Sequence, residues 1–414
     1  MRGGYIKHAR GEYPTLKQTR SSPPIAAAIA TMFVTYGLVI LASMTLPVAA
    51  PIASATLQIP ARYIGLYAAI LYAAAALCSL IAANLVTRFG ALRTSQGALV
   101  CAAAGLVCLA GGTIASAVAS AILIGFAYGP GNTASGRLLI AMTSAGKRSG
   151  VFSIKQTSVP AGAALCGVIV PPLALAIGWQ AAALAMGFTC LFAAAAVQPW
   201  RAILDRDRDA GQPIFARDPF APVSLVLRGP RLRALGITGL VYSGMQYAFG
   251  AVMVVFFVDR AGLGAIEAGL ILSAAMVTSV VARLGWGFAA DWTRPDIVLG
   301  LLGILTAASV VAATFVTPQW PRLALVALGC WFGAAGFSWN GVFLALVADI
   351  AGPKRVAAAT AGIMTLVFVG SLAFPALFAG LIALSGYNAA LLTVAAATFA
   401  TGIYVYARLS RARP

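Results

Sequence analysis

Twelve long apolar stretches, separated by short polar segments, constrain this chain more than any other feature; they run near 25–50, 63–86, 95–114, 116–142, 151–176, 180–197, 234–258, 266–290, 297–316, 323–348, 357–383 and 389–407. About 20 apolar residues in a helix cross about 30 Å of hydrocarbon, where every backbone N–H and C=O must be bonded within the protein. Only 9% of the residues are charged, against roughly 25% in a soluble domain whose surface meets water. The surface is therefore expected to face lipid. The 61% that are hydrophobic supply roughly 250 residues, close to the roughly 240 that twelve spans need, and leave little for a soluble domain. The expected fold class is an all-α membrane protein with twelve transmembrane helices.

Charge distribution orients these spans. A net charge of +18 on a folded domain would suggest nucleic acid, but here the bases are scattered through short loops and tails, so no nucleic-acid partner is expected. With the N-terminus inside, cytoplasmic segments hold 22 of the 28 Lys and Arg residues and outside loops hold three, Arg62, Arg260 and Arg322. The excess of positive charge on one side places both termini in the cytoplasm. The tail at 1–24 carries five bases and precedes an apolar run of about 26 residues, longer than the ~7 to 15 of a signal-peptide core, so it should stay attached. The six cysteines fall within apolar runs without a CxxC pair, and the one histidine, His8, lies in the tail. Neither a disulfide framework nor a metal site is indicated, and no cofactor is expected.

The chain repeats itself. Residues 198–233, with DRDRD at 205–209 and several prolines, read as a solvated cytoplasmic linker between an N-terminal six-helix bundle at 25–197 and a C-terminal one at 234–408, followed by a tail at 409–414. At one nearly constant offset, Gly65-Leu66 matches Gly269-Leu270, Lys147-Arg148 matches Lys354-Arg355, GWQAA at 178–182 matches GYNAA at 386–390, and GFAYG at 125–129 matches GFSWNG at 336–341. Two parallel six-helix repeats give a pseudo-two-fold axis along the membrane normal, about which a molecule can rock around a midplane site.

With these features the chain resembles the major facilitator superfamily over residues 25–408. The signature loop of that family, G-x-x-x-D-R-x-G-R-R, stands here as ANLVTRFGALR at 83–93, keeping Arg88, Gly90 and Arg93 while Ala83 and Thr87 replace the first glycine and the aspartate. Its second-half copy, GFAADWTR at 287–294, keeps Gly287, Asp291 and Arg294. The resemblance implies a gating role for Arg88, Gly90, Arg93, Asp291 and Arg294, with the carboxylate latch intact only in the second half. Helix 4 of the family often carries an arginine near the position of Gly125; this chain has none there.

In the resembled fold, spans 1, 4, 7 and 10 line a central cavity and spans 2, 5, 8 and 11 flank it. Span 4 carries Tyr128-Gly129-Pro130-Gly131-Asn132, where proline removes an N–H and frees a carbonyl, which is tolerable at membrane depth only beside a cavity or in a packed kink. Span 10 offers Trp339 and Asn340. Tyr36 of span 1 and Tyr242 of span 7 are repeat partners, with Gln246 one turn beyond Tyr242. Tyr247 is assigned to packing.

Three cations and no acid lie inside the spans: Arg137, Lys155 and Arg283. A cation at mid-membrane costs roughly 2.5 to 3.5 kcal/mol on insertion scales, so one without a protein partner suggests an anionic solute. Arg137 and Lys155 have a blander reading as side chains snorkelling to the cytoplasmic interface. Arg283 is deeper, and its rival reading is a pair with Asp291. Gln156 faces about 100° from Lys155, so only one of the two should point squarely at the cavity.

The fullest reading is a secondary transporter in a bacterial inner membrane, acting as a monomer on a small organic anion, with alternating access. Tyr36, Tyr128, Asn132, Lys155, Gln156, Tyr242, Gln246, Arg283, Trp339 and Asn340 would form its solute site. Efflux of a neutral or lipophilic compound is the competing reading. An integral-membrane enzyme is disfavoured, because spans without acids, histidine or a metal-ligand cluster leave few groups for acid–base chemistry.

Overall fold

In a computed structural model of the chain, residues 25–57, 64–215 and 218–410 are described; the N-terminal tail with His8, Arg62 and the last four residues lie outside them. The described chain is helical throughout its apolar stretches. The first half comprises α1 (Ile25–Leu57), α2 (Ile64–Phe89), α3 (Ala91–Leu109), α4 (Ile114–Tyr128), α5 (Gly131–Met142), α6 (Arg148–Gln156), α7 (Ser158–Ile177) and α8 (Trp179–Ala196). Two short helices, α9 (Arg201–Leu204) and α10 (Ala221–Arg228), follow. The second half holds α11 (Pro230–Ala261), α12 (Ala265–Trp292), α13 (Pro295–Ala313), α14 (Arg322–Gly336) and α15 (Asn340–Ser410). Nine helices among the described residues are long and apolar enough to cross a membrane, or ten if Pro230–Gly250 and Val252–Ala261 form one span.

Local sequence explains the breaks. Gly90 separates α2 from α3 at φ 92°, and Gly178 separates α7 from α8 at φ 85°, conformations that a side chain would strain. Within α15 the backbone leaves the helical region at Gly352 and Gly386, which divides its 71 residues into three helical runs. Thr113 starts α4 with a capping box: its hydroxyl accepts from the Ser116 N–H, and the Ser116 hydroxyl accepts from the Thr113 N–H. Pro130 interrupts α4 and α5, and residues 337–339 interrupt α14 and α15 at the corresponding place in the second half.

Packing follows an inside-out rule. Large apolar side chains such as Val168, Phe188, Phe192, Val277, Val281 and Leu384 stand exposed, more apolar surface than a water-soluble protein tolerates. Buried helix contacts are made by small residues: a Cβ on Gly125 would collide with the Leu71 carbonyl and Ala74, and one on Gly333 with the Ala275 backbone.

The stretch at 198–233 departs from the solvated linker that its charges suggest. Asp205 is buried, and its two carboxylate oxygens accept the Leu92 and Arg93 N–H groups at 2.7 and 2.9 Å, capping the start of α3. Burial pushes the Asp205 carboxyl up, while those two amide bonds pull against it. Asp207 pairs with Arg137 at 2.9 Å. The Asp209 N–H donates to the Thr87 carbonyl and Arg88 to that of Gln212. Charge density alone predicted solvation; the unbonded amides at the start of α3 supplied a buried destination for a carboxylate.

Candidate solute-binding site

Polar residues at mid-depth fall into two clusters joined by one arginine. In the first half, α6 ends at Gln156 and α7 begins at Ser158, so the helix is interrupted next to Lys155. Lys155 is 1% exposed. Its Nζ donates to Asn132 Oδ1 at 2.7 Å and Gln156 Oε1 at 2.8 Å, and stands 3.7 Å from the centroid of the Tyr36 ring. Two carbonyl oxygens and a ring face thus occupy the donors of the ammonium. Asn132 in turn donates to the Tyr36 hydroxyl at 3.2 Å. Gly131 is required here, because a Cβ there would overlap the Tyr36 ring.

The second-half cluster is built on Gln246. Its Oε1 accepts from Trp339 Nε1 at 2.8 Å and from Asn340 Nδ2 at 3.3 Å. Tyr242 meets Trp339 edge to face at 5.6 Å and donates to the Leu299 carbonyl at 3.3 Å. Its role on these contacts is to hold the indole.

Arg283 of α12 joins the two. It is 2% exposed; Nη1 donates to the Gln156 carbonyl across the halves at 2.6 Å, Nη2 donates to the Phe337 carbonyl, and Nε has no hydrogen-bond partner. Lys155 and Arg283 therefore converge on one residue, Gln156. Neither has a carboxylate partner among the described residues, since the four ion pairs there involve Arg137, Arg148, Arg294 and Arg322. Lys155 and Arg283 are thus two buried basic side chains held by neutral oxygens and a ring face.

Several expectations are corrected. Lys155 does not snorkel, whereas Arg137 does, reaching Asp207 at the linker end. Lys155 and Gln156 both serve the cluster, because the long lysine side chain reaches across to Gln156 Oε1 although the two stand on successive positions of α6. Arg283 does not pair with Asp291. That carboxylate accepts the Ser149 N–H at 2.9 Å and the Gly150 N–H at 2.7 Å, capping α6 of the opposite half. Tyr247, assigned to packing from sequence, belongs to an aromatic group between the halves: it lies 5.0 Å from Tyr72, and its hydroxyl is 3.5 Å from that of Tyr128. Tyr128 also packs on Tyr36 at 5.7 Å and Phe368 at 5.3 Å. α11 borders both its own bundle and the other half, so neighbouring residues 246 and 247 each find a partner, Gln246 in its own half and Tyr247 across the halves.

The residues of the two signature loops collect at the linker end. Arg93 bonds Gln96 at 3.2 Å, Arg294 pairs with Asp296 at 2.6 Å, and Arg148 pairs across the halves with Asp349. Among the described residues, every hydrogen bond between the halves lies at this end or at the centre. A void of about 10 Å³, room for one water, lies on the far side of Tyr36, beside Thr35 and Pro130.

Asp291 makes two charge-assisted bonds across the closed end, so Asp291→Asn is expected to weaken closure by about 1 to 2 kcal/mol, a population shift of roughly five- to thirtyfold. A cysteine introduced at Ala361, buried against Ala82 and Ala83, reports it in a background without the six native cysteines. Faster reaction with a polar thiol reagent is the expected result; an unchanged rate removes Asp291 from the latch.

Known proteins now bear on this geometry. No curated protein sequence matches the chain. Among solved structures, the human organic anion transporter MFSD10 superposes with a TM-score of 0.75 at 16% identity, covering 93% of this chain and 100% of that one. A variant of the E. coli fucose:proton symporter FucP gives 0.68 at 16% identity, covering 92% and 98%. The proton:xylose symporter XylE gives 0.67 at 15% identity, covering 92% and 95%. At such identities the likeness establishes a common fold. The sequence pattern described as the Major Facilitator Superfamily matches residues 32–344, more than half of the chain. The chain therefore belongs to the Major Facilitator Superfamily, multi-pass membrane transporters of small-molecule solutes.

Proposed function

We propose that this chain is a secondary transporter of a small organic anion, bound between Lys155 and Arg283 and moved by alternating access. The observation that carries the reading is the convergence of two buried cations on Gln156 with no carboxylate partner among the described residues. One cation could be held by backbone carbonyls alone; two of like sign in a low-dielectric site repel each other, and an anion between them relieves that repulsion. The unbonded Nε of Arg283 supplies a donor for a carboxylate. Tyr36, Tyr128 and Asn132 from one half and Tyr242, Gln246, Trp339 and Asn340 from the other would frame the solute. The likeness to a structure described as an organic anion transporter is consistent with this choice.

The same proposal counts twelve spans in two six-helix repeats, 25–197 and 234–408, with the linker and both tails cytoplasmic. Three runs of α15 and its partner α14, together with the other spans, reach that number when the bent α11 is one span. Matching interruptions near 130 and 338, and matching backbone angles at Gly178 and Gly386, support the repeat. Arg88, Gly90, Arg93, Asp291 and Arg294 would act as the gate at the linker end.

The test is thermal stabilisation of the purified protein by small carboxylates and by their neutral amides. Ligand at a hundred times its Kd adds about 2.7 kcal/mol to the stability of the folded state. Carboxylates are expected to raise the Tm saturably and their amides to leave it unchanged. Equal stabilisation by the amides, or by lipophilic neutral compounds alone, overturns the anion reading in favour of efflux of such compounds.

A further inference from the structure

Away from the solute site, two cavities of the first half share an arginine rim. An apolar trough of about 660 Å³ runs between α2, α3 and α4, floored by Phe89, Gly97, Cys101 and Phe126, with Arg93, Arg201 and Arg208 at its linker end. A second cavity of about 420 Å³ opens beside it, lined by Arg201, Arg206 and Arg208. None of these four arginines forms an ion pair among the described residues. The acids close by are already engaged: Asp205 by the amides of Leu92 and Arg93, Asp207 by Arg137, and Asp209 by the Gly211 N–H. Asp205 lines the second cavity beside Arg201, but with Asp207 paired to Arg137 the arginines of the rim outnumber the acids left to face them.

Dimensions and depth identify what fits. From Arg93 to Cys101 a helix rises about 12 Å, a little under half of the about 30 Å hydrocarbon layer, so the trough spans one leaflet. Its basic end lies at the start of α3 beside the charged segment 201–209, the place where an apolar span gives way to polar chain and where lipid headgroups are expected. A free anion would use the rim and leave the apolar floor without a partner; a zwitterionic lipid would use the floor but bring its own cation to the rim. We propose that this trough is a binding site for an anionic phospholipid, its acyl chain along Gly97 and Phe126 and its phosphate against Arg201 and Arg208. Because Asp205 and Asp207 tie the same segment to α3 and α5, a bound lipid would also hold the linker against the first half.

Two variants test the two ends of the site separately. Arg201 is half-buried and Arg208 exposed, so the double substitution to glutamine removes charge without opening a core. A Cβ at Gly97 meets nothing within 4 Å, so Gly97→Phe can fill the trough from a position with open space. The full-length protein in neutral detergent is titrated with phosphatidylglycerol, phosphatidylcholine of the same chains, or glycerol phosphate alone, and its Tm is followed. Phosphatidylglycerol is expected to stabilise the unaltered protein well above phosphatidylcholine. The double arginine variant should bind it roughly twenty- to thirtyfold more weakly, at about fivefold per charge, and Gly97→Phe should lose the effect while keeping its own lipid-free Tm. Equal stabilisation by both lipids overturns the proposal, as does an unaffected Gly97→Phe. If glycerol phosphate alone reproduces the shift, the rim binds a free phosphoanion and the lipid assignment falls.

Discussion

Arg283→Gln is expected to lower affinity for the anion proposed as the solute by more than about a hundredfold while leaving a folded protein in the membrane. Removing the guanidinium leaves the charge of the solute facing only Lys155, whose donors are already committed to Asn132, Gln156 and the Tyr36 ring. Truncating one partner of a buried charge pair costs several kcal/mol, and each 1.4 kcal/mol is a factor of ten. Arg283→Lys should rescue only in part, because an ammonium lacks the planar fork that grips a carboxylate with two bonds. Arg283 also ties the Gln156 and Phe337 carbonyls together, which suggests a rival outcome. If that crosstie is its only role, the glutamine variant keeps its anion affinity and changes only its exchange rate. Equilibrium binding measured beside counterflow separates the two.

The second large effect is expected at Gly341. Ser153 of α6 lies against two glycines of the opposite half: a Cβ on Gly341 would overlap its Oγ, Cα and Cβ, and one on Gly287 would overlap its Oγ and Cβ. The obstacle at Gly341 includes the Ser153 Cα and Cβ, which the backbone of α6 fixes in place and which cannot yield as the far end of a flexible side chain would. Gly341→Val should therefore hold the halves apart at the linker end and stop exchange between the two sides of the membrane. Gly167→Val in α7, placed in open space, serves as the control and should transport normally. Transport by Gly341→Val at the normal rate would mean that the halves never need to approach this closely.

Much of the architecture is written in one-dimensional patterns. Apolar run length, scarcity of charge and the near-constant offset between matched segments identify a lipid-embedded helical protein and its family, because hydrocarbon tolerates only internally bonded backbone and so imposes length and composition directly. The solute-site candidates were legible for the same reason: a lysine, two asparagines or an arginine within a span are costly enough to mark themselves, and Asn132, Lys155, Gln246, Arg283, Trp339 and Asn340 all lie in the two central clusters. Even the interruption at Pro130 follows from its missing N–H.

What the sequence left open are the partners, which depend on three-dimensional neighbours. Snorkelling or burial of Lys155, a pair between Arg283 and Asp291 or a bond to Gln156, and packing or interface for Tyr247 are alternatives of similar local cost. Each was decided by residues more than 20 positions away in the chain, such as Asn132, Ser149 and Tyr72. Asp205 is the clearest case. In a run of alternating charges it is indistinguishable from Asp207 and Asp209, and only the free amides at the start of α3 single it out for burial. Length and hydropathy are properties of a segment and can be read along it; the partner of a buried charge is a property of the packed helices, because in a low-dielectric interior the nearest available donor or acceptor outweighs any preference carried by the segment itself.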